Sequence, residues 1–266
     1  MNGWWRNIIA SGAEFGVADN TKGERMRGEK VVLAKITRPR FKLTYLRNDL
    51  HGLLDELRST PLIMVSGPPG SGKSTLVASY VESRNIPCLW YHLDQGDEDL
   101  AIFFYYFGIA ALKANSPKKA ALPRMSFDRG PDIATLAKEY FHKLYQCLET
   151  PFVIVFDDHH AVPKDSVLHE VLQEACAELP KCGRIVLISR NECPANMVCL
   201  HTKCAAAVIG REELQLTPGE VKEIAALHGV MLPSDEVANQ LQAKVGGSVA
   251  ELIHALQTGS LLPLSN

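Results

Sequence analysis

Eight consecutive residues, Gly67-Pro-Pro-Gly-Ser-Gly-Lys-Ser74, satisfy the pattern G-x-x-x-x-G-K-[ST] at every position. The chemistry this spacing serves is phosphate binding. Gly67, Gly70 and Gly72, with Pro68, Pro69 and Ser71 between them, let the backbone wrap tightly enough for successive N–H groups to face phosphate oxygens. The free N–H groups of a helix starting at Lys73 add the positive end of its dipole. Lys73 is the point charge for the β- and γ-phosphates. Ser74 offers its hydroxyl to Mg²⁺, and Thr75 lies beside it.

A second chemical signal lies about 80 residues downstream. The apolar run Phe152–Phe156 (FVIVF) leads directly into Asp157 and Asp158. A strand ending in acid presents a carboxylate at the edge of a sheet, where it can hold Mg²⁺ beside a phosphate loop. Asp157 is the metal-side residue in this reading. Asp158 is placed to orient or deprotonate an attacking water, or else to cap a turn. The run Arg184–Ser189 (RIVLIS) also ends in polar residues. If it lies between the first and third strands, Arg190 reaches the γ-phosphate; otherwise it is a surface arginine at a strand end. No N-K-x-D segment is present and the acidic strand end is not D-x-x-G, so an adenine nucleotide is expected rather than a guanine one.

These residues need elements to hold them. Helical spacing of Leu50, Leu53, Leu54 and Leu57 predicts a helix over 49–57, stopped by Pro61. Strands are expected at 62–66, 87–93, 152–156, 184–189 and 206–209, and helices at 73–83, 98–114, 132–148 (with Pro131 opening it) and 165–179. Such alternation predicts a doubly wound parallel α/β sheet sandwiched by helices. After Gly210 the pattern turns wholly helical, with helices at 217–227, 234–245 and 248–256. Thr217 with Glu220 forms a capping box, and Ser234 is a second N-cap. The expected division is a loose arm over 1–30, with Met26 a candidate start, a nucleotide-binding domain over 31–210 and a small helical lid over 211–266.

Composition bounds the partners. The 266 residues carry 28 Lys+Arg against 30 Asp+Glu, a formal charge of −2, so no bulk basic field invites nonspecific nucleic-acid binding. The seven cysteines form no CxxC pair, which argues against a disulfide framework. Cys193, Cys199, His201 and Cys204 cluster without paired-knuckle spacing; reduced thiols are the simpler reading than a zinc site. The aromatic run Phe103–Phe107 reads as core, and His159 and His160 as packing or surface residues. The longest apolar stretch, Leu100–Leu112, is too short to span a bilayer. A cytoplasmic protein is expected.

The ordered segments KITRPRFKLTYLRNDLHGLLDEL (35–57), GPPGSGKST, Trp90-Tyr91-His92-Leu93-Asp94, FVIVFDDHH and LISR resemble the nucleotide-binding module of MalT-like regulators. These are STAND-class ATPases of the large LuxR type, with an ASCE/AAA-like P-loop fold. The similarity covers about residues 31–257. It implies a switch that holds ADP at rest, exchanges it for ATP and then self-associates. It also implies positions for Arg47 and Asn48 near the adenine end of the nucleotide. The turn Gly246-Gly247-Ser248 matches the family's glycine pair in the helical lid; Ser248 departs from the G-W-P usual there, so no ligand contact is expected at this turn. Nothing in these residues matches the family's helical-repeat sensor or helix-turn-helix, so direct DNA contact is not expected; an excised module and a natural truncation both fit.

Three functional readings remain open at this point. One is an ATP-binding, slowly hydrolysing signalling switch with Mg²⁺. Another is a P-loop kinase acting on a small molecule, although the segment after Gly210 supplies only Arg211 for an arginine-rich lid. The third is an interaction module that binds nucleotide without turnover.

Overall fold

A computed structural model describes residues 34–41, 45–114, 132–191 and 205–259. Strands β1 (Leu62–Ser66), β3 (Phe152–Asp157) and β4 (Gly183–Ser189) are buried at every position, which explains their unbroken apolar runs. With β2 (Cys88–His92) and β5 (Ala206–Ile209) they form one sheet in the order β2-β3-β4-β1-β5. All four pairings are parallel. β4 therefore lies between β1 and β3, the arrangement on which the reading of Arg190 depends.

Side chains of period two divide between the faces. Ile63, Val65, Trp90, Val153, Val155, Val186 and Ile188 pack with Leu50, Leu54, Leu76, Val77, Tyr80 and Val81 of helices α1 (Asn48–Glu56) and α2 (Lys73–Ser83). On the other face Tyr91 and Phe156 meet Phe103 and Phe107 of α3 (Leu100–Ala114); Phe107 in turn meets Tyr140 and Phe141 of α4 (Ile133–Cys147), and Phe104 meets Tyr140. The aromatic run is thus core: Phe103, Phe104 and Phe107 are buried, and only Tyr105 is exposed. Helix α5 (Leu168–Ala177) is tied to α4 by the Tyr145 hydroxyl donating to the Ala175 carbonyl. No described helix is long and apolar enough to cross a membrane.

After β5 the chain builds the lid from α6 (Arg211–Leu214), α7 (Pro218–Leu227), α8 (Asp235–Lys244) and α9 (Val249–Thr258). Leu216, Val221, Ile224, Leu241, Leu252 and Leu256 form its own apolar centre. Thr217 and Glu220 make the expected capping box, and Ser234 and Ser248 cap α8 and α9 through the N–H groups of Val237 and Glu251.

Several boundaries differ from expectation. The helix expected from 98 begins at Leu100, because Asp94 and Asp97 cap a separate 3₁₀ turn over Gln95–Glu98. Asp132, expected inside a helix, is its N-cap and accepts from Thr135 N–H; Pro131 lies outside the described residues. The helix expected from 165 begins at Leu168, since Ser166 N–H closes a turn on the Pro163 carbonyl. The lid has four helices rather than three, because Gly210 is followed at once by the short α6, whose Glu213 carboxylate accepts the Gly210 N–H.

Candidate functional site

Parallel strands end at a common edge, and that edge gathers the chemistry. Ser66 pairs with Ser189 and His92 with Asp157. The phosphate loop therefore leaves β1, Arg190 leaves β4 and Asp157 closes β3, side by side. His92 closes β2 beside Asp157.

In the loop, Gly70 and Gly72 adopt φ of 80° and 85°, a region that costs other residues about 1–2 kcal/mol. That geometry delivers the chain into α2 with Lys73 as its first residue. The Lys73 ammonium is buried and donates to the carbonyls of Gly67 (2.7 Å) and Pro68 (2.8 Å). Burial lowers its pKa, against the attraction of Asp157. Ser74 Oγ lies 3.1 Å from Asp157 Oδ1, so the hydroxyl and carboxylate that a phosphate-bound Mg²⁺ needs already meet. The donor set fits that ion. Thr75 follows on the same helix, and the backbone of Gly67–Gly72 forms the turn into it.

Asp157 is buried, and burial raises its pKa despite the opposing effects of His92 and Ser74. Its Oδ1 also accepts the Asp158 N–H at 2.9 Å, which leaves Oδ2 facing His92 Nδ1 at 3.6 Å. Asp158 adopts φ 60°, ψ 33°, unusual for a residue with a side chain. It begins a 3₁₀ turn, yet its side chain makes no capping bond. The carboxylate is 45% exposed and lies 3.8 Å from both His92 and His160. The His92 contact holds its pKa below the usual carboxylate range, with burial opposing. For His92 burial works against the charged form, but the contact with Asp158 and the field of Asp157 outweigh it and raise its pKa.

Arg190 is exposed at the end of β4, close enough for its charge to act on Lys73, Asp158 and His160. His159, beneath this edge, is buried against His169 and pushed by burial to about 4; it is a packing residue.

Arg47, which the resemblance sets near the adenine end of a nucleotide, is held by protein partners. Its guanidinium is buried and engages both carboxylate oxygens of Glu220 (2.7 and 2.9 Å) and the carbonyls of Leu214 and Gln215 (2.8 Å each). These bonds tie the head group to the helical segment after β5. Asn48, next to it, is exposed at the start of α1. The turn before α9 does touch the loop: Ala250 N–H donates to the Gly70 carbonyl at 3.0 Å, and Ser248 Oγ lies 3.4 Å from the same oxygen. Three contributions were missed by sequence reasoning. His92 lay within a quoted strand end but was given no role, and Glu220 and Ala250 gave no signal beyond capping and helix formation. Cys193, Cys199, His201 and Cys204 lie outside the described residues.

A family model described as an AAA ATPase domain matches residues 44–188, more than half of the chain. The chain belongs to this family. Two regulators named HTH-type transcriptional regulator MalT, from Klebsiella pneumoniae strain 342 and from K. pneumoniae subsp. pneumoniae, are each 26% identical over 195 residues. Those residues are 73% of this chain but 21% of each relative, so the chain spans about a fifth of the regulators it matches. Among solved structures, the Thermotoga maritima RuvB Holliday junction branch migration motor aligns at a TM-score of 0.43 and 14% identity, covering 83% of this chain and 64% of that one. A DNA replication initiation factor aligns at 0.45 and 13%, covering 84% and 63%. A member of the AAA ATPase domain family with a complete phosphate loop, the chain is similar over most of its length to part of the MalT regulators.

Proposed function

We propose that this AAA ATPase domain binds ATP with Mg²⁺ and hydrolyses it slowly, as the switch of a MalT-like transcriptional regulator. Its ADP or ATP state controls self-association. The observation that carries the reading is the meeting of Ser74 and Asp157 at the mouth of a phosphate loop of complete pattern. The N–H groups of Gly67–Thr75 and the Lys73 ammonium hold the phosphates, and Ser74 and Asp157 hold the metal. Bound Mg²⁺ supplies charge neutralisation on the phosphate oxygens. Asp158, half open to solvent, orients water and accepts its proton. Arg190 stands over the same region as the group sensitive to the terminal phosphate. Most of the acceleration comes from positioning and charge, as phosphoryl transfer requires.

Lys73→Ala tests the site. Loss of a charge-assisted contact of about 2–3 kcal/mol lowers ATP affinity roughly 30- to 150-fold, read by calorimetric titration. Full affinity in that variant would overturn the reading. Size-exclusion chromatography with ADP, ATP and a non-hydrolysable analogue, with released phosphate measured alongside, tests the switch. A larger species only with ATP is expected. Transfer of phosphate to an added small molecule would instead mark a kinase.

A further inference from the structure

The contacts of His92 constrain its protonation. Its Nε2 lies 3.3 Å from the Thr37 carbonyl, which can only accept, so the ring N–H sits on Nε2. Nδ1 then faces two carboxylate oxygens, Asp157 Oδ2 at 3.6 Å and Asp158 Oδ2 at 3.8 Å. In the neutral ring three electron-pair donors converge on one space, and only a cation relieves them. That cation is either a second proton on Nδ1 or a metal ion.

Geometry separates the two. The 3.3 Å contact to Thr37 lies within the roughly 3.5 Å at which an N–H···O contact ceases to be a hydrogen bond, whereas the distances of 3.6 and 3.8 Å lie beyond it. They lie near the ligand-to-ligand edge of about 3.4 Å that a tetrahedral ion imposes with bonds of about 2.0–2.2 Å. The three ligand atoms lie within 4.8 Å of one another. A metal-bound histidine ordinarily donates its second N–H to a backbone carbonyl or carboxylate, as His92 does to Thr37. His160 Nδ1, buried without a hydrogen-bond partner, lies 3.8 Å from the other oxygen of Asp158, Oδ1.

We propose that His92, Asp157 and Asp158 form a binding site for a borderline divalent transition ion of the Zn²⁺ class, distinct from the Mg²⁺ position on Ser74. Mg²⁺ keeps oxygen ligands and water, whereas imidazole suits zinc and its neighbours. The two positions share Asp157 through opposite oxygens: Oδ1 turns to Ser74 and Oδ2 to His92. Zinc held there engages both acids at the strand end. On the ATPase reading above, which this consequence alone rests on, it withdraws Asp158 from the attacking water and arrests turnover.

The test uses the full chain, stripped with chelator and kept free of nucleotide and Mg²⁺, so it stands independently of ATP binding. Titration with ZnCl₂ is expected to show a site that His92→Ala weakens at least about 100-fold, beyond the 10- to 100-fold typical of losing an outer-shell partner. Asp158→Asn, a change at a half-exposed side chain, is the second variant and is expected to weaken it as well. A C193S/C199S/C204S variant is expected to retain the site, and bound Co²⁺ to show no thiolate charge-transfer band. Absence of zinc binding in the parent protein overturns the proposal. So does binding that survives both His92→Ala and Asp158→Asn in folded variants, or that disappears with the three cysteines.

Discussion

Among the contacts of the described residues between the sheet and the lid, two work by opposite means. At the first, Arg47 at the start of α1 sits in a buried frame of Glu220 and two lid carbonyls, with every contact charge-assisted. At the second, the Gly70 carbonyl receives Ala250 N–H, and contact is possible only because Gly70 has no side chain. A Cβ there would lie 2.8 Å from that of Ala250. The first junction is made by the chain ahead of α1 and fastens it to the helical segment after β5. The second is made by the phosphate loop itself, at the Gly70 carbonyl. In the switch proposed above, the buried ion pair would serve as the pivot and the backbone contact as the detector.

The strongest way to break this contrast is Arg47→Ala, which strands Glu220 in a buried site. Stability is expected to fall by about 3–5 kcal/mol in urea unfolding. A loss near zero would remove the pivot. Acid provides the next largest effect and acts on the sheet rather than the lid. His159 has its pKa pushed down to about 4, so its contribution is complete above the unfolded value of about 6.5 and drains away as pH falls toward 4. About 3 kcal/mol should be lost over that window. His159→Leu, which also removes a buried Nε2 without a hydrogen-bond partner, should flatten the dependence.

Gly70→Ala sharpens the detector half. Positive φ and the approach to Ala250 together should cost about 1–3 kcal/mol. Ala250→Gly should return part of that in a double-mutant cycle, with a coupling of at least about 0.5 kcal/mol. Strict additivity would show that loop and lid do not communicate there. The smallest effect concerns the pivot's local support. Thr217→Ala removes the hydroxyl that caps α7 beside Glu220 and should cost about 1 kcal/mol, measured by thermal unfolding.

Strand β1 and helix α2 were legible to the residue, because burial on both faces and a complete phosphate-loop pattern leave a local imprint; β5, only partly buried, was legible from its short apolar run ahead of Gly210. The three principal lid helices were legible through Thr217, Ser234 and the Gly246-Gly247-Ser248 turn. The 3₁₀ turn at 95–98 was not, because Asp94 and Asp97 cap one another with the same residue types that populate a helix start. His92 was hidden for a different reason. Its chemistry arises from strand register, which sets it beside Asp157 although 65 residues separate the two in sequence.

By itself the sequence determined a nucleotide-binding α/β module: the loop that cradles phosphate, the acid at the end of a buried strand and the helices that follow. Those are short-range properties, set by backbone freedom, side-chain period and capping. Only the tertiary structure decided that β4 lies between β1 and β3, that Arg47 holds the lid, that Ala250 rests on Gly70 and that His92 faces two carboxylates. Each of these joins residues far apart in the chain. Which distant partners meet depends on strand order and on how packed elements share one edge, and no local pattern of residues encodes either.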